Sequence, residues 1–209
     1  MPVCPTLAPF FASFFSFTAQ AMHDKPTLRQ AMRERLRGMD EDERTAASVR
    51  IAAHLTQLAA AWPAGAMVAM FGGLKNEPDL VTHVLPALHA LGMRTCFFQI
   101  EHQALQPRLV RGMEDLHRGQ MNVWEPQPHC PAVEIAALDF ILVPGLAFTR
   151  DGKRLGRGGG YYDRLLAHPG CRAERVAVAF EVQLVEDISV ELHDQHIHQI
   201  ITESGLIRV

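Results

Sequence analysis

A glycine-rich stretch flanked by arginines contains the residue types in this sequence that suggest chemistry most directly. Residues 143–166 read VPGLAFTRDGKRLGRGGGYYDRLL, in which Arg154 and Arg157 stand among closely spaced glycines, Gly156, Gly158, Gly159 and Gly160. Glycines at this density allow backbone N–H groups to turn towards an anion, and guanidinium groups neutralise its charge. The apolar run that follows predicts a helix whose dipole adds to the attraction. The stretch therefore predicts a phosphate-binding loop.

Two common phosphate motifs do not describe this loop. No Gly-Lys pair is followed by Ser or Thr, which excludes a P-loop, and the full GxGxxG spacing of a dinucleotide-binding turn is missing. A glycine cluster alone is more often a turn than a binding site. Its charged and aromatic neighbours favour the functional interpretation, and these are Arg154, Arg157, Tyr161, Tyr162 and Asp163.

The composition fits one globular domain with a proper core. Apolar residues are 48% of the 209 and charged residues 21%, which argues against disorder. The formal charge of −3 predicts no general attraction to nucleic acid or to an anionic membrane, so the expected ligand is a small molecule. The four cysteines, Cys4, Cys96, Cys130 and Cys171, have no CxxC spacing and predict neither a zinc site nor a disulfide framework. A reducing cytoplasm fits this pattern best.

The first 21 residues are expected to be a disordered extension, and residues 22–209 to form the domain. The run from Leu7 to Phe17 is apolar, but no Lys or Arg precedes Lys25, whereas a signal peptide carries a basic amino-terminal region. The run is also too short to span a bilayer. We therefore interpret it as a non-native segment rather than a targeting signal, with translation starting at Met22.

The hydrophobic pattern predicts alternating helices and strands. Helices are predicted over residues 25–38, from Asp40 to near Trp62, over 80–91 and over 161–167, and strands over 67–71, 94–100, 105–110, 139–143, 175–180, 199–202 and 206–209. Pro86 predicts a kink or a later start for the third helix, and residues 112–137 are expected to be irregular. This order predicts a single Rossmann-like α/β domain with three α/β/α layers and a mainly parallel sheet.

Several segments resemble the 5-formyltetrahydrofolate cyclo-ligase family, also called methenyltetrahydrofolate synthetases. PGLAF followed by RLGRGGGYYDR is similar to the specific central signature of that family. Weaker similarities occur in the expected order: KPTLR from Lys25, NEPD from Asn76, WEP from Trp124, AFEVQ from Ala179 and the pair His193-Asp194. The resemblance covers residues 25–203. It departs from the family pattern at Leu80, Thr149 and Gly159, which bears on substrate orientation more than on ATP binding.

The resemblance implies a reaction between two small molecules, with ATP as co-substrate and Mg²⁺ as cofactor. ATP phosphorylates the formyl oxygen of 5-formyltetrahydrofolate, the second nitrogen closes the ring, and phosphate leaves. ATP contacts are implied for Lys25, Arg29, Arg154, Leu155, Gly156, Arg157, Gly158, Gly159, Gly160, Tyr161 and Tyr162. Asp163 and Asp194 are implied as the magnesium ligands.

The folate pocket is implied by the same resemblance. Its residues are Glu77, which would accept hydrogen bonds from the pterin, together with Trp124, Arg157, Gly158, Gly159, Gly160 and Tyr161. No covalent nucleophile is needed, so the catalytic residues Arg154, Arg157 and Tyr161 would act by positioning and charge stabilisation. The expected protein is a cytoplasmic monomer with no nucleic-acid or membrane partner.

Other interpretations remain open for individual residues. Arg29 can belong to a solvated basic stripe, Glu77 can cap a helix, and Tyr162 can pack in the core. His193, Asp194, His196 and His198 resemble a transition-metal cluster, but surface histidines are the favoured interpretation. For the whole chain, the alternatives are a non-catalytic folate- or nucleotide-binding paralogue and, more weakly, a phosphosugar isomerase.

Overall fold

A seven-stranded sheet lies at the centre of the computed structural model, which describes residues 24–191 and 194–209. The predictions for residues 1–21 and for His193 lie outside the described residues. The helices are α1 (Lys25–Arg37), α2 (Glu41–Ala59), α3 (Leu80–His83), α4 (Leu85–Ala90) and α5 (Tyr161–Leu166). The strands are β1 (Met67–Met70), β2 (Arg94–Glu101), β3 (Ala104–Val110), β4 (Leu116–Arg118), β5 (Trp124–Pro126), β6 (Phe140–Val143), β7 (Ala147–Phe148), β8 (Arg154–Leu155), β9 (Glu174–Val178), β10 (Gln199–Thr202) and β11 (Gly205–Arg208).

The strand order places two loops in one crevice. The large sheet runs β11-β10-β9-β6-β1-β2-β3, with β2, β1, β6, β9 and β10 parallel and one antiparallel strand at each edge. After β1 the chain moves outwards to β2 and β3, and it then returns to the other side of β1 as β6. Ligands of open α/β sheets bind at such a switch point, beyond the carboxyl ends of the strands. The loops after β1 and β6 meet there.

The helices cover the two faces of the sheet unequally. Helices α1 to α4 pack on one face, where the predicted stripe of α1, Leu28, Met32 and Leu36, is buried. The opposite face is covered by α5 and by loops, so the second helical layer is thin. The predicted three-layer, mainly parallel α/β fold is confirmed. No helix in the described part of the chain is long and apolar enough to cross a membrane.

Local signals at the helix ends explain where the first three helices begin. The Asp24 side chain accepts a hydrogen bond from the backbone N–H of Thr27, and Asp40 accepts two at the start of α2. Asp79 caps α3 in the same way. The helix predicted over 80–91 is interrupted at Val84, because Pro86 has no N–H to continue the ladder, and α4 begins at Leu85.

The prediction of irregular structure over residues 112–137 is wrong in part. β4 and β5 form a short antiparallel hairpin there, in which Leu116 pairs with Pro126 and Arg118 with Trp124. Its turn contains Met121 and Asn122, which both have a positive φ. The sequence does not predict this hairpin for two reasons. Strands of three residues are too short to show an alternating pattern, and the turn has no glycine at the two positions with positive φ.

Candidate functional site

The glycine-rich loop connects the small β7–β8 hairpin to α5. Gly158 has φ +107° and Gly160 has φ +66°, conformations that other residues adopt only with strain. Gly160 also stands at the start of α5, which has only six residues and no side-chain cap. The predicted helix is therefore present, but such a short helix contributes little dipole. Anion attraction at this loop depends on its backbone N–H groups and its cations instead.

Arg154 and Asp163 form an ion pair at the base of the loop. The Arg154 side chain is only 4% exposed and that of Asp163 20%, and a guanidinium Nη of Arg154 binds the Asp163 carboxylate. The other Nη donates to the carbonyl oxygen of Pro144 at 3.2 Å. Within the described residues the buried Nε of Arg154 has no hydrogen-bond partner. Arg154 is thus fixed in place and retains one unsatisfied donor.

Arg157 and Glu77 form a second ion pair across 80 residues of sequence. Nε and Nη2 of Arg157 donate to Glu77 Oε1 at 2.9 and 2.6 Å. The other carboxylate oxygen of Glu77 accepts from the backbone N–H of Leu74 at 2.8 Å, which fixes the loop after β1. The Glu77 side chain is 6% exposed and that of Arg157 34%. The two residues predicted to line one pocket are therefore in direct contact.

Helix α1 packs its basic residues against the outer side of the loop. Nε of Arg29 donates to the carbonyl oxygen of Gly156 at 3.0 Å, and Arg33 donates to that of Arg157 at 3.1 Å. These contacts favour a functional position for Arg29 over a solvated stripe. Arg33 was not among the predicted site residues, although its spacing of four from Arg29 placed it on the same helix face.

Lys25 lies one helical turn before Arg29 and pairs with two carboxylates. Its Nζ is 2.7 Å from Asp194 Oδ2 and 2.9 Å from Glu191 Oε1. Burial lowers the pKa of Lys25, but the hydrogen bonds to Asp194 and Glu191 outweigh burial, and the net effect raises this pKa. Lys25 therefore keeps its charge throughout the neutral range.

An apolar cavity of about 280 Å³ adjoins the inner side of the loop. Its apolar wall is formed by Phe71, Phe98, Ile100, Leu105, Met121, Val123 and Trp124, and its polar wall includes Glu77, Arg154, Arg157, Tyr161 and Asp163. Gly159 and Gly160 line it as well. A Cβ atom on Gly158 would instead approach Arg29, at 3.8 Å from Nε, on the outer side. Most of the predicted folate residues are brought together here.

A polar cavity of about 400 Å³ lies beside the apolar one. Both are lined by Gly72, Gly73, Leu74, Glu77, Met121 and Trp124. The polar cavity also contains the cations Arg44, Lys75 and Arg118, none of which was predicted as a site residue. The guanidinium of Arg118 lies 3.9 Å from the ring centroid of Trp124. Only the pairing of β4 with β5 brings these two side chains together, so no local sequence pattern predicts their contact.

Two predicted ATP contacts contribute mainly to the core. Tyr162 packs edge-on against Phe98 at 5.8 Å between ring centroids, and burial raises its pKa. Leu155 is 1% exposed as a whole residue, so neither its side chain nor its backbone presents open surface to a ligand in this structure. Tyr161 is different, because it lines the apolar cavity with the Arg164 guanidinium 5.0 Å from its ring.

The two predicted magnesium ligands each bind a cation in this structure. Asp163 pairs with Arg154, and Asp194 pairs with Lys25. Carboxylate oxygens suit Mg²⁺, which needs only one or two of them when phosphate oxygens supply the rest. The donor chemistry thus fits a phosphate-bound Mg²⁺. Surface histidines were predicted rather than a transition-metal cluster around His198, and in the structure His198 Nδ1 accepts a hydrogen bond from the backbone N–H of Arg175.

The sheet, the glycine loop and the cavity beside it together define an α/β protein with a small-molecule binding site. A mainly parallel α/β sheet places a cationic glycine loop at its switch point, with an apolar cavity on one side of the loop and basic helix residues on the other. Clefts of this form are typical binding sites for small molecules.

Comparison with known proteins identifies the family. A model of the 5-formyltetrahydrofolate cyclo-ligase family matches residues 21–203. The 5-formyltetrahydrofolate cyclo-ligase of Mus musculus is 29% identical over 198 residues, which cover 87% of this chain and 94% of that protein. Its namesake from Mycolicibacterium smegmatis is 44% identical over 77 residues, 37% of this chain and 40% of that protein. The NMR structure of Aquifex aeolicus 5,10-methenyltetrahydrofolate synthetase has a TM-score of 0.71 at 26% identity, covering 88% and 92% of the two chains.

The chain belongs to the 5-formyltetrahydrofolate cyclo-ligase family. The family and the enzyme class predicted from the sequence are confirmed by these matches. The assignment of individual site residues stays a prediction.

Proposed function

We propose that this protein converts 5-formyltetrahydrofolate to 5,10-methenyltetrahydrofolate, using ATP and Mg²⁺ and releasing ADP and phosphate. The observation that carries the proposal is the position of the glycine loop between two different environments. Its outer side contacts Arg29 and Arg33 of α1, with Lys25 one turn earlier on the same helix, and its inner side faces Glu77 and the apolar cavity. A reaction that joins a phosphate donor to an aromatic substrate needs such an arrangement.

The proposed reaction has two steps. The formyl oxygen attacks the γ-phosphorus of ATP, the bond to the β-phosphate oxygen breaks, and ADP leaves. The second folate nitrogen then attacks the activated formyl carbon, the C–O bond breaks, and phosphate leaves with the proton that this nitrogen gives up. Both steps move negative charge along phosphate oxygens, so positioned cations and backbone donors supply the stabilisation.

The ATP phosphates are placed on the outer side of the loop. Lys25 and Arg29 would neutralise them, and the backbone N–H groups of residues 156–160 would donate to them. Asp163 and Asp194 would hold Mg²⁺, which supplies further neutralisation when it is bound with the phosphates. In the present structure Arg154 and Lys25 occupy these two carboxylates. Binding of the metal would therefore require Lys25 to turn from Asp194 towards phosphate, whereas Arg154, which contacts only Oδ1 of Asp163, would stay in place.

The folate is placed in the apolar cavity. Its pterin would donate to Glu77, and its aromatic rings would pack between Trp124 and Tyr161. Arg157 binds Glu77 in the structure, so it must release the carboxylate and turn towards the transferring phosphoryl group. Arg154 has a fixed position and an unsatisfied Nε, which suits a donor to charge that develops during the reaction.

One observation favours the alternative of a non-catalytic binding paralogue. Arg154, Arg157 and Lys25 each pair with a carboxylate of the protein, an arrangement that would also suit a site whose cations are used only to hold its shape. We also propose that the protein acts as a cytoplasmic monomer, which size-exclusion chromatography with light scattering can test.

The decisive assay mixes the purified protein with 5-formyltetrahydrofolate, ATP and Mg²⁺ and follows the near-ultraviolet absorbance of the methenyl product. Product should appear only when all three are present, with one ADP released per product. Arg150→Met is a suitable control variant, because Arg150 forms an exposed ion pair with Glu181 and lines neither cavity. Folate binding without product would favour the paralogue instead.

A further inference from the structure

Three side chains outside the proposed site direct metal-binding atoms towards one point. A carboxylate oxygen of Asp115, a ring nitrogen of His129 and the Sγ atom of Cys130 all lie within 4.8 Å of one another. Asp115 Oδ1 and His129 Nε2 are 3.2 Å apart. The residues come from the two ends of the β4–β5 hairpin, so the hairpin brings together positions that are fourteen or more apart in sequence.

Backbone hydrogen bonds hold the first member of the group in place. The backbone N–H of Arg111 donates to Asp115 Oδ2 at 2.8 Å, which leaves Oδ1 to face His129. This hydrogen bond is also the main reason why the pKa of Asp115 lies below its ordinary value. The backbone N–H of Gln127 donates to the carbonyl oxygen of Asp115 at 2.8 Å. The carboxylate is therefore ionised and oriented at neutral pH.

The turn that carries the other two members is fixed as well. The N–H of Cys130 donates to the carbonyl oxygen of Gln127 at 2.9 Å, closing a turn, and Arg108 donates to the carbonyl oxygen of Cys130 at 2.9 Å. The Cys130 thiol is 1% exposed and donates to the carbonyl oxygen of Asp115 at 3.5 Å. The sulfur atom of Cys130 therefore lies beside the Asp115 carboxylate. The turn does not need to change its conformation to bring the three ligand atoms together.

Burial differs among the three residues in a way that suits a metal from solution. Asp115 is 8% exposed, whereas the His129 side chain is 69% exposed. The exposed imidazole contacts Asp115 from the solvent side and leaves the ion an entry path, while the two buried ligands form the floor of the site.

We propose that Asp115, His129 and Cys130 bind Zn²⁺ or Co²⁺, with a water molecule as the fourth ligand. Sulfur, imidazole nitrogen and carboxylate oxygen form a ligand set that favours these ions over Mg²⁺ or Ca²⁺. In tetrahedral zinc coordination a nitrogen and an oxygen ligand lie about 3.4 Å apart, close to the observed separation of Asp115 and His129. Binding converts the Cys130 thiol to a thiolate, and the proton passes to solvent. The site is independent of the proposed cyclo-ligase reaction.

The position of this site gives it a structural effect. The ion would join the start of β4 to the segment after β5, and so close the base of the hairpin. The same hairpin carries Met121 and Trp124, which line both cavities. Binding of the ion to the folded protein should therefore raise its melting temperature.

The test uses the full-length, metal-free protein under reducing conditions and titrates it with Co²⁺. Expected are a near-ultraviolet thiolate-to-cobalt charge-transfer band, saturation at one ion per chain, and loss of the band when Zn²⁺ is added. Cys130→Ser should abolish the band. Loss of a side chain that only hydrogen-bonds to a metal ligand weakens metal binding by up to about 100-fold. His129 would bind the ion directly, so His129→Ala should weaken Co²⁺ binding by at least about 100-fold.

Controls separate this site from the other thiols. Cys4→Ser, Cys96→Ser and Cys171→Ser should leave the band unchanged, because neither Cys96 nor Cys171 belongs to the group of Asp115, His129 and Cys130. Circular dichroism checks that Cys130→Ser is folded. His129 is exposed, so His129→Ala tests the site without disturbing the core. No charge-transfer band with the wild type, or an unchanged band with either variant, would overturn the proposal.

Discussion

Replacing Glu77 with glutamine tests the ion pair at the centre of the proposed folate pocket. In the structure one carboxylate oxygen of Glu77 accepts from Arg157, and the other accepts from the backbone N–H of Leu74. The amide has the same shape but only one acceptor oxygen. It can satisfy one of these two donors, and its NH₂ group must then face the other. Glu77→Gln therefore separates charge and hydrogen bonding from packing.

The magnitude follows from the burial of the two partners. A buried donor left without an acceptor lowers the free energy of unfolding by about 1–3 kcal/mol. Because the Arg157 side chain is 34% exposed, water can partly replace the lost acceptor, and we expect a loss in the lower half of that range. A loss of about 1.5 kcal/mol lowers the melting temperature of a domain of this size by roughly 3–6 °C. A charge-assisted hydrogen bond is about twice as strong as a neutral one, so kcat/KM for the folate should fall about tenfold or more.

The assay measures kcat and KM for each substrate separately, with thermal unfolding of the same samples. Glu77→Gln should change the folate parameters and leave the KM for ATP unaltered. Glu101→Gln is the matched control, because Glu101 also pairs with an arginine, Arg108, but lines neither cavity. An increase in the KM for ATP with normal folate kinetics would refute the placement of the two substrates on opposite sides of the loop.

Two further substitutions test the packing and the charge of the site. Gly72→Ala should lower the free energy of unfolding by about 3 kcal/mol or more, and with it the melting temperature, because the new Cβ would lie 1.9 Å from the carbonyl oxygen of Trp124. Gly38→Ala is the control and should melt like the wild type, because its new Cβ would have its nearest neighbour at 3.5 Å. Equal melting of both variants would contradict this packing. Arg154→Met removes the fixed cation beside Asp163 and should lower kcat about 100-fold in a folded protein, whereas full activity would exclude Arg154 from the reaction.

Much of the fold could be predicted because its signals are local. The apolar stripe of α1 has a helical period, Asp24 and Asp40 provide caps, and β1 is a short apolar run. The order of these elements then predicts a mainly parallel sheet. Pro86 marks the interruption between α3 and α4 for the same local reason.

Features that depend on distant contacts could not be predicted in this way. The stacking of Arg118 on Trp124 exists only because β4 pairs with β5, and Met121 reaches both cavities only through the turn between those strands. The group of Asp115 and Cys130 was missed for a similar reason, because the spacing between them follows no known metal motif. The family resemblance pointed to single residues such as Glu77 and Arg157, whereas the ion pair between them depends on the fold.

Arg157 connects the two sides of the loop through a single residue. Its carbonyl oxygen accepts from Arg33 on α1, and its side chain binds Glu77 on the cavity side. A ligand that draws α1 and the loop backbone together must therefore move the guanidinium relative to Glu77. Because the folate needs that same carboxylate, occupation of the outer side by ATP should change the affinity for folate, and linkage requires the reverse effect to be equal.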